Sequence, residues 1–171
     1  MALKAAVGKP PQPRRKKGTA AAPALTWTGL AVGSKVVVDT APFIYVLQDH
    51  ADLAARFVGL FEAEAAQALH IALSTVTLAE VLAGPFKAGQ EALARRYERA
   101  LNQFEVVPVT AAIAAQAARL RARYGLKLAD AIQLATALEV GAAALVTHDR
   151  DFAAVEGLAV LYGDAETGPA R

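Results

Sequence analysis

From Val36 onward, short apolar runs alternate with longer stretches in which apolar residues recur every three or four positions. Val36-Val37-Val38 is a continuous β-branched run, suited to a strand covered on both faces. In Thr40-Ala41-Pro42, Thr40 is suited to cap a helix and Pro42 to its first turn, and Phe43, Ile44 and Leu47 supply an apolar face. The same reading predicts a helix over 52–69, with Leu53, Phe57, Leu60 and Phe61 on one side, then a strand at 71–73. A helix over 77–83 is predicted to stop at Gly84-Pro85, and an Arg-rich amphipathic helix to occupy 89–103. Strand 106–109 precedes a helix over 111–124, capped by Thr110 and closed by Gly125. A helix from about 128 to 140, ended by Gly141, and strands at 144–147 and 158–161 complete the series. Alternating strands and helices of this kind predict an α/β domain with a mostly parallel sheet flanked by helices.

Residues 1–34 break the pattern. Pro10, Pro11 and Pro13 interrupt any helix and no periodicity is present, so a disordered basic arm is expected there. The expected organisation is this arm, one folded domain over 35–162, and a tail over 163–171. Charge sharpens the division. Residues 1–35 hold seven Lys/Arg and no acid, whereas residues 36–171 hold 11 Lys/Arg against 16 Asp/Glu, so +7 and −5 make the net +2. A basic arm on an acidic domain suits a polyanion or an acidic surface as partner; a solvated tail with no specific role is the competing reading. Cysteine is absent, which excludes disulfides and thiolate metal sites and suits a reducing, cytoplasmic setting. His50, His70 and His148 are too scattered for a zinc constellation. No apolar run approaches the ~18 residues of a membrane span.

Four carboxylates fall at predicted element ends or on apolar helices: Asp39, Glu80, Asp130 and Asp149. Acids are rarely buried without compensation, so four in such places suggest one pocket for a hard divalent cation. Each has an ordinary alternative. Thr77-Leu78-Ala79-Glu80 can be a capping box, Asp130 can complement a helix dipole, and Asp39 and Asp149 can begin loops. Asp130 nevertheless shares a helical face with Leu134 and Ala137, which points its carboxylate inward. Asp39 and Asp149 follow strands, where ligands bind in parallel sheets.

Around these acids stand Val36-Val37-Val38-Asp39-Thr40, Thr77-Leu78-Ala79-Glu80-Val81, Leu128-Ala129-Asp130-Ala131-Ile132-Gln133-Leu134-Ala135 and Leu145-Val146-Thr147-His148-Asp149-Arg150-Asp151-Phe152. In order and spacing, over roughly residues 36–161, they resemble the PIN-domain ribonucleases, and most nearly the VapC-type toxins of toxin–antitoxin pairs. The resemblance implies a three-layer PIN-like fold and a Mg²⁺- or Mn²⁺-dependent endoribonuclease. It also implies an RNA substrate, a homodimer and inhibition by a cognate antitoxin. Asp39, Glu80, Asp130 and Asp149 would be catalytic metal ligands, Asp151 sharing the fourth role. Thr40 and Thr147 would orient them on the substrate side. The implied reaction is in-line attack on a phosphodiester by metal-activated water, leaving 5′-phosphate and 3′-hydroxyl ends. The basic arm departs from the family, whose chains usually begin almost at the first strand.

Further residues carry smaller claims. Arg150, beside Asp149, is the best candidate to hold a scissile phosphate. Arg119, Arg123 and Lys127 recur four apart and suggest a phosphate stripe, although a solvated helix face is the weightier reading, as for Arg95, Arg96 and Arg99. His148 is either a general acid or RNA contact, or an ordinary loop histidine. The alternative for the whole chain is a non-catalytic PIN-like RNA-binding or scaffold protein, against which the intact quartet argues. An aspartyl-phosphate phosphatase would need a second Asp at position 41, which is Ala, and a receiver domain would need a lysine near Val146-Thr147.

Overall fold

A computed structural model describes residues 30–163 of the chain, so the expectations for the arm and the C-terminal tail fall almost wholly outside the described residues. The sheet forms around the triple-valine run. Val36, Val37 and Val38 are fully buried in β1 (Ser34–Val38), the middle strand of five. β2 (Leu69–Ser74) and β4 (Ala144–Val146) flank it, β3 (Glu105–Val107) lies outside β2, and β5 (Ala159–Leu161) lies outside β4. Every pairing is parallel. Successive strand residues alternate between faces, and this divides the core in two. Val36, Val38, Ile71, Leu73, Ala144 and Val146 join the cluster around Phe43, Phe57, Leu60 and Leu101. Val37, Ala72 and Leu145 join the opposite cluster around Ile113, Ala117, Leu134 and Phe152.

Six α-helices supply the outer layers among the described residues: α1 (Thr40–Leu47), α2 (Ala54–Ala65), α3 (Thr75–Lys87), α4 (Glu91–Leu101), α5 (Ala111–Tyr124) and α6 (Leu128–Glu139). The first four serve the first cluster and the last two the second. This is the expected three-layer α/β arrangement, with a sheet that is parallel throughout.

The differences from the predicted elements have local causes. Asp39, not Thr40, caps α1, because its carboxylate accepts the Thr40 N–H at 2.7 Å. Ser74, not Thr77, caps α3 by accepting the Thr77 N–H at 3.2 Å. The capping-box reading of Glu80 is thereby overturned. Helix α3 runs through Gly84-Pro85 to Lys87. Proline clashes partly with the preceding Cβ, which Gly84 lacks, and the loss of one amide donor in the final turn is tolerated. α5 has the predicted span, capped by Thr110 and closed by Gly125 at φ 71°. That left-handed closure ends the helix before Lys127, which instead occupies the N-cap position of α6. The proposed stripe is broken: Arg123 pairs with Glu156 at 3.0 Å, and Lys127 turns to Asp151 at 3.1 Å.

Strand order places the site. The chain builds outward from β1 through β2 to β3, then returns to the other side of β1 for β4 and β5. The reversal lies between β1 and β4, and a crevice at the carboxyl ends of such a pair is where α/β sheets take ligands. Asp39 directly follows β1, and Thr147-His148-Asp149 directly follows β4.

Candidate metal centre

Asp39 continues the β1–β4 ladder, its N–H donating to the Val146 carbonyl at 2.9 Å. The residue is only 8% exposed, and both carboxylate oxygens are engaged. One takes the Thr40 N–H at the start of α1, where the helix dipole favours an anion. The other takes the Thr147 hydroxyl at 2.7 Å. Thr147, fully buried, also accepts the Asp149 N–H at 3.0 Å, so one hydroxyl fixes the carboxylate after β1 and the loop after β4. Thr147 is thus in hydrogen-bond contact with both Asp39 and the Asp149 backbone.

Asp149 caps a 3-10 turn, Arg150–Ala154, by accepting the Asp151 N–H at 2.9 Å. This brings Asp149 and Asp151 to one side of the crevice. Across it, Asp130 projects from the first turn of α6, its Oδ2 enclosed and without a hydrogen-bond partner. One oxygen from each of Asp130, Asp149 and Asp151 lies within 4.8 Å of the others. Glu80 reaches in from α3 and accepts the Thr40 hydroxyl.

Electrostatics tie Asp39 and Glu80 to the other acids although both lie outside that 4.8 Å group. Burial raises the Asp39 carboxyl to about 6, against the hydrogen bonds from Thr147 and Thr40, with Asp130 and Glu80 adding to the rise. Burial likewise raises Asp130, as do Asp149, Asp151 and Glu80, while Lys127 opposes them. Five carboxylates from four parts of the chain therefore repel one another across a single crevice. An enclosed carboxylate oxygen without a donor, in an all-oxygen acid cluster, is a donor set that fits a hard divalent ion.

The remaining sequence candidates fall around this centre. Arg150 is exposed and stacks its guanidinium over the Tyr162 ring at 4.3 Å. His148 packs against Tyr45 and Phe57, with Nδ1 hydrogen-bonded to the Tyr45 hydroxyl at 2.9 Å. Arg95 pairs with Glu91 on the outer face of α4, in keeping with a solvated helix face. Sequence reasoning missed a buried amide. Gln133, one turn beyond Asp130, accepts the Ser74 hydroxyl at 2.9 Å and donates to Thr77 Oγ1 at 2.6 Å, joining the helices that bear Asp130 and Glu80. A glutamine three places after an inward-facing aspartate, among apolar neighbours, was the available signal.

The PIN domain family profile matches residues 36–158, nearly the whole described domain. A toxin–antitoxin complex from Klebsiella pneumoniae contains a chain 31% identical to this one. The match covers 75% of this chain and 97% of that one, with a TM-score of 0.61. VapBC2 from Rickettsia felis, solved on a promoter DNA fragment, is similar at 21% identity, 74% and 96% coverage, and TM-score 0.61. VapC20 from Mycobacterium tuberculosis, a sarcin-ricin loop cleaving toxin, is similar at 20% identity, 72% and 96% coverage, and TM-score 0.57. No curated protein matches the sequence significantly. The chain belongs to the PIN-domain family, with VapC-type toxins among its structural relatives. Among the described residues, no helix is long and apolar enough to cross a membrane.

Proposed function

We propose that this protein is the toxin of a toxin–antitoxin pair and acts as an endoribonuclease dependent on Mg²⁺ or Mn²⁺. The observation that carries the reading is the convergence of Asp130, Asp149 and Asp151 at the switch point, with Asp39 and Glu80 alongside. Asp39, Glu80, Asp130 and Asp149 would hold the ion, with Asp151 at the outer side. Such an ion supplies activated water at neutral pH and offsets charge on a phosphate undergoing substitution.

The chain's own groups do the positioning. Thr147 holds Asp39 in one orientation, and through the Asp149 N–H it keeps the β4 loop in register with that carboxylate. Thr40 steers Glu80 towards the crevice. The dense negative charge excludes a phosphodiester until a cation offsets it, so substrate and ion enter as coupled ligands. Arg150, stacked on Tyr162, stands at the rim as the proposed phosphate contact. The partners in this reading are RNA, a cognate antitoxin and a second copy of the chain. A guanidinium from the antitoxin would fit the same carboxylates and block the centre.

Cleavage of structured RNA by the purified full chain, with Mn²⁺ added, tests the reading. Asp39→Asn and Asp130→Asn should each reduce the rate by at least about 100-fold, since an amide of equal volume cannot replace a charged ligand. Undiminished Mn²⁺-dependent cleavage in either variant overturns it.

A further inference from the structure

Lys127 sets its ammonium against the acidic centre, 3.1 Å from Asp151 Oδ2 and 3.8 Å from Asp149 Oδ2. Helix stability does not account for this position. Lys127 is the N-cap residue of α6, makes no side-chain cap, and lies at the helix end where a positive charge is disfavoured. Its backbone is held, with the carbonyl accepting the Ala131 N–H at 3.0 Å, while its side chain remains 73% exposed. The stem is thus anchored beside Asp130 and the charged end can leave for water at small cost. Asp149 has its other oxygen committed to the Asp151 N–H, so the oxygen that faces Lys127 is the one available to a cation.

Resting on the metal-centre reading above, we propose that Lys127 is a tethered competitor that weakens divalent-ion binding by occupying carboxylate oxygens the ion requires. The ammonium and the ion are alternative partners of Asp149 and Asp151. An exposed pair of this kind is weak, so the competition tunes the metal affinity without closing the site. Lys127 then serves as an affinity-setting residue that acts through two acids, raising the Mg²⁺ or Mn²⁺ concentration at which the centre fills.

Mn²⁺ binding to the full chain, followed by electron paramagnetic resonance and by calorimetry without RNA, reads this directly. Lys127→Met keeps the stem and removes the charge, and should bind Mn²⁺ about two- to fivefold more tightly than wild type. Lys127→Arg keeps the charge and should bind no more tightly than wild type. Asp130→Asn serves as the reference for loss of the centre. If wild type binds Mn²⁺, Asp130→Asn does not, and Lys127→Met binds equally or more weakly, the competitor role is overturned while the centre stands. If neither wild type nor Lys127→Met binds Mn²⁺, both fall. Equal tightening in Lys127→Met and Lys127→Arg would also overturn it, because charge would not be the cause.

Discussion

Asp39 loses more by burial than it recovers from the Thr147 hydroxyl and the Thr40 N–H, which is why its carboxyl rises to about 6. The folded chain therefore holds that proton more tightly than the unfolded chain does. The cost is absent below the ordinary value of 3.8, grows as pH rises towards 6, and is complete above it. Its size is about 3 kcal/mol, from the separation of the two values. Asp39→Asn should accordingly raise Tm by several degrees at pH 7.5 in chelator and lose that advantage near pH 4. Mn²⁺ should raise the Tm of wild type at pH 7.5 and leave Asp39→Asn unmoved. Melting curves at the two pH values, with and without Mn²⁺, check both statements. Asp39 was legible in the sequence because it closes a buried strand. The ion pairing of Lys127 was not, because it depends on a left-handed Gly125 that turns the chain between two helices.

Helices α3 and α6 carry Glu80 and Asp130, and the Gln133 amide fastens them together inside the core. Replacing it by an apolar residue takes the acceptor from the Ser74 hydroxyl proton and the donor from Thr77 Oγ1, both buried, each loss costing about 1–3 kcal/mol, while Ser74 Oγ keeps the Thr77 N–H. Gln133→Leu should thus lower stability by about 2–4 kcal/mol, moving the urea midpoint at constant slope. Chemical denaturation measures this, and an unchanged midpoint would show that the amide is dispensable. Elements were most legible where a side chain and a glycine bracket them, as Thr110 and Gly125 bracket α5. They were least legible where breakers are overruled by packing. Pro85 is buried within α3, and that contact holds a turn which local propensity alone would release. The 3-10 turn after Asp149 had no apolar periodicity to announce it, so Asp151 entered the sequence reading only through the family resemblance, and local pattern gave no sign of the turn that sets it beside Asp130.

For the whole chain, the opposite charges of residues 1–29 and of the domain that follows them make a prediction. Those residues hold Lys4, Lys9, Arg14, Arg15, Lys16 and Lys17 and no acid. Removing them should weaken RNA binding and flatten its dependence on salt, since fewer counterions are released, and leave the cleavage position unchanged. Affinity against salt concentration, for full and shortened chains carrying Asp130→Asn to prevent turnover, gives the slopes. Equal slopes would make the segment a bystander. The parallel sheet and the strand-end position of Asp39 and Asp149 were legible from short apolar runs separated by helices. Strand order was not, because pairing between distant segments leaves no mark in local periodicity.

That strand order has a consequence for how the protein is made. β1 lies between β2 and β4, and Asp39 receives its hydroxyl from Thr147, 108 positions further along. On the ribosome, β1 can pair on one side long before its other neighbour exists. The carboxylate after β1 stays without its hydroxyl partner until Thr147 has been translated, and Asp149 and Asp151 arrive later still. A growing chain thus carries the first acids of the centre for most of its synthesis without the means to assemble them. Assembly of the acidic centre is thereby deferred by the topology to the last part of synthesis.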